Sequence, residues 1–160
     1  MSTFADAETI AKDALLTFEL DGQLYAAPLT HVSEVIRDHT VTPVPGAADD
    51  LLGICQLRGS IVPVMDGRRR LGLRAATDPN EDSVRIVVFS QDAGRVGLKV
   101  DAVGDLVRPT ADLITSPPAR LRAVRGDDPV QAVFAWGSDF VALLDVPRLI
   151  RLQSGTTSVV

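Results

Sequence analysis

The sequence predicts a mainly β protein made of two small barrel lobes, and three observations carry that reading. Short apolar runs alternate with turn residues along most of the chain, the rhythm of small barrels rather than of a parallel sheet. The second half repeats the plan of the first after about 75 residues, a period too long for a solenoid unit and suited to two related lobes. Ten prolines and twelve glycines make the chain richer in turns than a helical bundle, and with only 4% aromatic residues its core must come from Val, Leu, Ile and Ala.

Taken in order, Leu16 to Leu20 reads as the first strand, Asp21-Gly22-Gln23 as a turn and Leu24 to Pro28 as the return. Leu29, Val32, Val35 and Ile36 follow at spacings that suit one short helical turn leading into another strand. Thr42-Pro43-Val44-Pro45-Gly46 is stiff and extended, because each proline restricts itself and the residue before it. Two apolar strands, one with Ile54 and Leu57 and one with Ile61, Val62, Val64 and Met65, flank an Arg58-Gly59 tip. Gly59 allows the positive φ that a tight reversal needs. Asp66 is placed to cap a short helix carrying Arg68, Arg69 and Arg70. Arg74 to Asp82, polar and holding Pro79, is the expected linker between lobes.

The second half echoes the first. Val84 to Ser90, Gln91 to Gly94 and Arg95 to Val100 repeat strand, turn and return. Val100, Val103 and Leu106 match Leu29, Val32 and Val35, with Asp105 in the place of Glu34 and Arg108 in that of Arg37. Ser116-Pro117-Pro118 interrupts this half where the first proline pair interrupts the other. Val141-Ala142-Leu143-Leu144-Asp145 matches Val62-Pro63-Val64-Met65-Asp66, and Ala135-Trp136-Gly137 matches Leu57-Arg58-Gly59, which makes Trp136 the expected counterpart of Arg58. One domain over 15–152 results, with lobe one at about 15–73, lobe two at about 84–152, and strands open to sharing between them. Residues 1–14 and 153–160 are expected to be flexible ends. A lobe of roughly 60–70 residues buries little core alone, so the two are expected to pack together.

The net charge of −5 and isoelectric point near 4.9 oppose a nucleic-acid partner, which would need cations to displace phosphate counterions. The basic run Arg68 to Arg70 is read as a solvated turn. Cys55 is the single cysteine, so no intrachain disulfide forms and a reducing compartment fits. The N-terminal stretch is acidic where a signal peptide is basic, and no apolar run reaches the roughly 18–20 residues of a membrane span. A cytoplasmic location without membrane insertion is expected.

Catalytic and metal chemistry find little support. Cys55 alternates with apolar residues in a strand, with no histidine or helix N-terminus implied beside it. His31 and His39 lack metal-ligand spacing, and Asp49-Asp50 and Glu81-Asp82 are adjacent acids in loops. The glycines form neither a GxGxxG nor a Walker pattern. Arg58 stands apart: at a hairpin tip its planar fork and apolar stem suit entry into a partner.

At this point Gly53-Ile54-Cys55-Gln56-Leu57-Arg58-Gly59, followed by Ile61-Val62-Pro63-Val64-Met65-Asp66, resembles the signature of the CheW-like domain. That signature runs roughly Gly-Val-x-Asn-Leu-Arg-Gly, two residues, Val-Pro-Val, then Val-Asp-Leu-Arg. Leu16 to Leu29 resembles the family's opening hairpin, Val32-Ser33-Glu34-Val35 its Val-x-Glu-Ile segment, and Gly97 to Val103 its Val-Asp-x-Val motif. The resemblance implies two pseudo-symmetric five-stranded β-barrel lobes of SH3/OB-like type with short helices. It also implies a non-catalytic adaptor, without cofactor or metal, that joins a CheA-type histidine kinase to the cytoplasmic tips of methyl-accepting chemoreceptors in membrane-associated arrays. Carried over by position, Val32 and Glu34 fall in the kinase-binding segment, and Gly53, Leu57 and Arg58 in the receptor-binding region and its support. The groove between the lobes holds the receptor helix tip in that family. Two positions depart: Gln56 replaces the usual asparagine, and Gly67 the usual leucine, which is expected to weaken the short helix by roughly 1 kcal/mol relative to Ala. An adaptor of a parallel chemosensory pathway, such as pilus motility or development, is the alternative. A small enzyme using Cys55 or the acid pairs is the remote one.

Overall fold

The computed structural model describes residues 7–37, 40–76, 82–92, 94–117 and 128–151. His39, Glu81, Pro118 and the 153–160 tail lie outside the described residues. A short helix α1 (Ala7–Ala11) precedes β1 (Leu15–Leu20) and β2 (Gln23–Pro28). A 3₁₀ turn over Leu29–His31 leads into β3 (Val32–Ile36), as the spacing of the apolar residues implies. Then come β4 (Leu51–Leu57), β5 (Ser60–Asp66), α2 (Gly67–Arg70), β6 (Arg85–Gln91), β7 (Gly94–Val100) and β8 (Ala102–Val107). A second 3₁₀ turn, β9 (Ile114–Thr115), β10 (Val130–Trp136), β11 (Asp139–Leu144) and α3 (Val146–Leu149) complete the described chain. Asp66 and Asp145 each cap the helix that follows, accepting from the backbone N–H of Arg68 and Arg148 respectively.

The strands form two sheets, and neither sheet corresponds to one half of the sequence. Sheet one runs β8-β1-β2-β11-β10-β9, and sheet two runs β3-β6-β7-β5-β4. The expected boundaries at 15–73 and 84–152 therefore do not divide the molecule in space. The opening hairpin β1–β2 lies in sheet one with strands of the second half, while β3, β4 and β5 join β6 and β7 in sheet two. The reason is the pairing of return strands: β2 takes β11 as a parallel neighbour, and β7 takes β5. Strand sharing between the halves is general, and sheet one carries six strands where five were expected. The pseudo-symmetry itself is preserved, because β8-β1-β2-β11-β10 maps onto β3-β6-β7-β5-β4.

Each sheet has one face on a shared core. Leu16, Phe18, Leu20, Tyr25 and Leu144 of sheet one meet Met65, Val87, Phe89, Leu98 and Val100 of sheet two, with Val146 and Leu149 of α3 added. The far faces carry smaller cores: Leu15, Phe134, Val141 and Leu143 in sheet one, and Cys55, Leu57, Val62, Val64 and Val88 in sheet two. Central strands covered on both faces read as nearly continuous apolar runs, as in Leu15-Leu16-Thr17-Phe18 and Ile86-Val87-Val88-Phe89. Of the N-terminal end expected to be flexible, residues 1–6 lie outside the described residues. Within that end Ala7–Ala11 is helical, and Ile10 is buried in the core of sheet one, which gives this short helix the tertiary anchor it needs.

Candidate functional site

The β4–β5 hairpin closes through Arg58 and Gly59, both at positive φ (51° and 80°), the backbone that a two-residue loop between twisted strands demands. Asp21 and Arg58 are the non-glycine residues with positive φ among those described. Asp21 is a residue type that tolerates this region, whereas arginine has no such preference. Arg58 is thus held in a costly conformation at a turn where asparagine or glycine would sit more easily.

The Arg58 side chain is 71% exposed, yet it is ordered by Glu34. Its Nε donates to Glu34 Oε2 at 3.0 Å and its Nη2 to Oε1 at 3.1 Å, a bidentate pair that raises the arginine further above its ordinary pKa. Arg95 flanks the same carboxylate at 3.7 Å and donates from Nη2 to the Leu57 carbonyl at 3.3 Å. β3 and β4 are the opposite edges of sheet two, so this pair spans a sheet curled far enough to bring its edges within side-chain reach. Two residues assigned by sequence to different partners, Glu34 to the kinase and Arg58 to the receptor, form one charged node.

Val32 and Glu34, assigned to the same partner, are separated instead. Val32 pairs with Phe89 and Glu34 with Val88, with a bulge between. Phe89 faces the shared core and Val88 the core of sheet two, so Val32 and Glu34 lie on opposite faces of β3. Leu57 and Gly53 offer a partner little surface. Leu57 is 7% exposed within the core of sheet two. Gly53 is packed so closely against the backbone of Thr42 and Pro43 that any Cβ would overlap the Thr42 carbonyl. Leu57 lies next to the Arg58 tip, whereas Gly53 pairs with Val64 at the far end of the same hairpin.

Sequence reasoning missed two residues. The β3 bulge returns Val35 to the face of Val32, opposite Val87, and Val35 is 39% exposed. Its counterpart Leu106 on β8 pairs with Leu16 beside a matching bulge and is 55% exposed. Val87 and Leu16 belong to the shared core, so Val35 and Leu106 carry the two inter-sheet faces outward to solvent at the open edges. The echo of Val35 in Leu106 was visible in the sequence, but the face each side chain takes depends on bulges that it did not reveal.

Two further readings are corrected. In register, Gln56 pairs with Ile61 and Ala135 with Phe140, so Trp136 corresponds to Leu57, and Gly137 to Arg58. The expected match of Trp136 with Arg58 is one residue out at the tip. The Arg68 to Arg70 run is not a solvated turn. Arg68 is bound to Asp101 at 2.7 Å, Arg69 donates to the Asp49 carbonyl at 3.0 Å, and Arg70, 7% exposed, donates to the Leu149 carbonyl at 2.8 Å. Arg70 thereby meets the C-terminal carbonyls of α3, where a cation is favoured.

Burial pushes the Cys55 thiol up, against a smaller opposing pull from Arg95. A nucleophilic thiol needs the reverse. His31 lies in the 3₁₀ turn, and Asp50 gives its carbonyl to the Asp66 N–H. Among the described residues no group of three His, Cys, Asp or Glu side chains is placed to hold a metal ion. No helix among them is long and apolar enough to cross a membrane.

Comparison with known proteins places this geometry among relatives. The family model of the CheW-like domain matches residues 14–154. The chemotaxis protein CheW of Treponema pallidum is 26% identical over 84% of this chain and 80% of its own length. The chemotaxis protein CheW of Bacillus subtilis is 30% identical over 96% of both chains. The crystal structure of the scaffolding protein TtCheW from Thermoanaerobacter tengcongensis matches with a TM-score of 0.78 at 24% identity, covering 91% of this chain and 97% of that one, a likeness of fold.

Proposed function

We infer the function of this chain from its kinship: it belongs to the CheW-like domain family, and it is a chemotaxis coupling adaptor. The partners we assign are a CheA-type histidine kinase and the cytoplasmic tips of chemoreceptors. The protein works in the cytoplasm on membrane-associated receptor arrays and carries out no reaction of its own. The kinase contact runs along β3 through Val32 and Glu34. The receptor contact uses Arg58, on the hairpin that also holds Leu57 and Gly53, together with the apolar inter-sheet edge at Val35 and Leu106.

The observation that supports this reading is the double character of β3. One face of this open edge strand carries Glu34 in its bidentate pair with Arg58, and the other carries Val32 and the exposed Val35. A coupling protein needs its contacts in fixed relation, and residues assigned to the two partners interleave on this one strand and the hairpin tip bound to it, with no intervening joint. Because Glu34 and Arg58 satisfy each other, a partner that engages either charge alters the other. Several modest contacts of this kind hold an array through effective concentration.

Co-purification tests the assignment. The intact chain is expected to retain both a kinase regulatory domain and a receptor-tip fragment. Arg58→Glu, which sets a carboxylate against Glu34, is expected to lose the receptor fragment while the far-ultraviolet circular dichroism stays that of the parent. Equal receptor retention by a folded Arg58→Glu protein overturns the role of Arg58, and retention of neither partner by the parent overturns the adaptor assignment of these partners.

A further inference from the structure

We propose that Arg68 is a positioning residue for partner binding: by holding Asp101 it fixes the point where the chain leaves sheet two to begin β8, and so sets the placement of Leu106. The proposal rests on the reading above that the inter-sheet edge at Leu106 receives the receptor tip.

Among the described residues the chain passes between the sheets from β2 to β3 and from β7 to β8. A three-residue 3₁₀ turn takes up the first passage, whereas Asp101 alone spans the second. This single residue is tied from every side. Its N–H donates to the Glu19 carbonyl of β1 at 3.0 Å, and its carbonyl accepts from Ser83 Oγ at 2.7 Å. Its carboxylate accepts from the Asp21 N–H in the β1–β2 turn at 2.8 Å. The same carboxylate takes Arg68 Nε at 3.0 and 3.2 Å and Nη2 at 2.7 Å. Arg68 Nη1 also reaches the Arg74 carbonyl at 3.0 Å and Asp21 Oδ1 at 3.5 Å. The guanidinium fork thus joins α2 of sheet two, the first turn of sheet one and the crossover between them, at side chains largely withdrawn from water (18% exposed for Arg68, 29% for Asp101).

The consequence follows from β8 being an edge strand. It has a ladder on one side only, to β1, and that ladder is interrupted by the bulge between Leu16 and Phe18. A slip of one residue turns every side chain to the other face and would take Leu106 off the inter-sheet side. Asp101, fixed at the start of β8, sets its register, and the hydrogen bond from Thr17 Oγ1 to the Asp105 carbonyl at 2.8 Å holds the bulge itself. Among the described residues, the equivalent positions of the other half hold no such arginine–aspartate pair. Pro147 stands in the place of Arg68 and Thr30 in that of Asp101. A 3₁₀ turn makes the equivalent crossover there, so the clamp belongs to the crossover that leads to Leu106.

The test uses the full chain in four forms, the parent, Arg68→Ala, Arg68→Lys and Leu106→Asp. Each is titrated by calorimetry with a receptor-tip fragment and separately with a kinase regulatory domain. Leu106→Asp is expected to abolish receptor binding. Arg68→Ala is expected to weaken it about tenfold, while kinase affinity stays within about twofold, a split that general destabilisation would not produce. Amide hydrogen exchange is expected to quicken across Ala102–Val107 and to stay unchanged in β11. Parent-like receptor binding by Leu106→Asp overturns the reading of the edge, and the proposal with it. Loss of binding by Leu106→Asp alongside parent-like binding by Arg68→Ala overturns the clamp alone. So does equal weakening toward both probes, or unchanged exchange in β8. If Arg68→Ala does not fold, Arg68→Lys, which keeps the charge but not the fork, decides by the same comparison.

Discussion

Arg58 combines an unfavourable backbone with an exposed side chain, and that combination separates stability from function at one position. Its positive φ suits asparagine far better than arginine, so Arg58→Asn is expected to raise the urea midpoint while lowering retention of the receptor fragment. A fall in both would mean that the pair with Glu34 outweighs the turn strain. Cys55 gives a second prediction. Burial raises its thiol pKa in the folded state. Below the ordinary thiol value of about 8.5 both states keep the proton and nothing is lost. As pH rises past that value the unfolded thiol ionises first and folding stability falls. Denaturation at pH 7 and pH 10 is expected to show this decline in the parent and a smaller one in Cys55→Ala. The same burial predicts slow alkylation of the native protein. The types of these residues and the turn that holds Arg58 were legible in the sequence; that Glu34 would be its partner was not, because they lie on opposite edges of a sheet whose curl is a tertiary property.

At the scale of elements, the short helix α2 shows how local propensity loses to packing. Gly67 was expected to weaken it, and replacement by Ala to strengthen it. The structure reverses the sign. A Cβ at Gly67 would lie 2.6 Å from the Lys99 carbonyl and 3.0 Å from a Leu20 methyl, in a position already buried. Gly67→Ala is therefore expected to destabilise the protein by about 1–3 kcal/mol, the usual cost of overpacking, measured by urea denaturation. A gain in stability would mean that β7 yields easily. Hairpins and caps were legible because they rest on neighbours in sequence: Asp21-Gly22, Arg58-Gly59 and the aspartates Asp66 and Asp145 announce themselves. Bulges were not, and they decide which face Val32, Glu34, Val35 and Leu106 present.

For the whole molecule, the exchange of strands predicts how the chain behaves when divided. Residues 1–76 supply β1 and β2 to sheet one and β3, β4 and β5 to sheet two, and residues 82–160 supply the rest. Each fragment alone therefore lacks strands of both sheets and part of the shared core. Expressed separately, the two fragments are expected to show no cooperative unfolding, and an equimolar mixture to recover the circular dichroism and cooperative melt of the intact chain. A fragment that folds by itself would contradict the exchanged topology. The same interlocking makes the two sheets one mechanical body, as a protein that holds two partners in fixed relation requires.

The sequence by itself determined the mainly β character, the duplicated plan, the hairpin turns, the capped helices and the family signature around Arg58. All of these depend on residues close in the chain, where turn chemistry and apolar alternation act directly. Tertiary structure alone decided that the halves trade strands, that Glu34 and Arg58 meet, that Val32 and Glu34 part, and that Arg68 holds the Asp101 crossover. These follow from edge pairing, bulge register and ion pairs between distant segments, whose energies depend on where the chain returns rather than on what stands beside it.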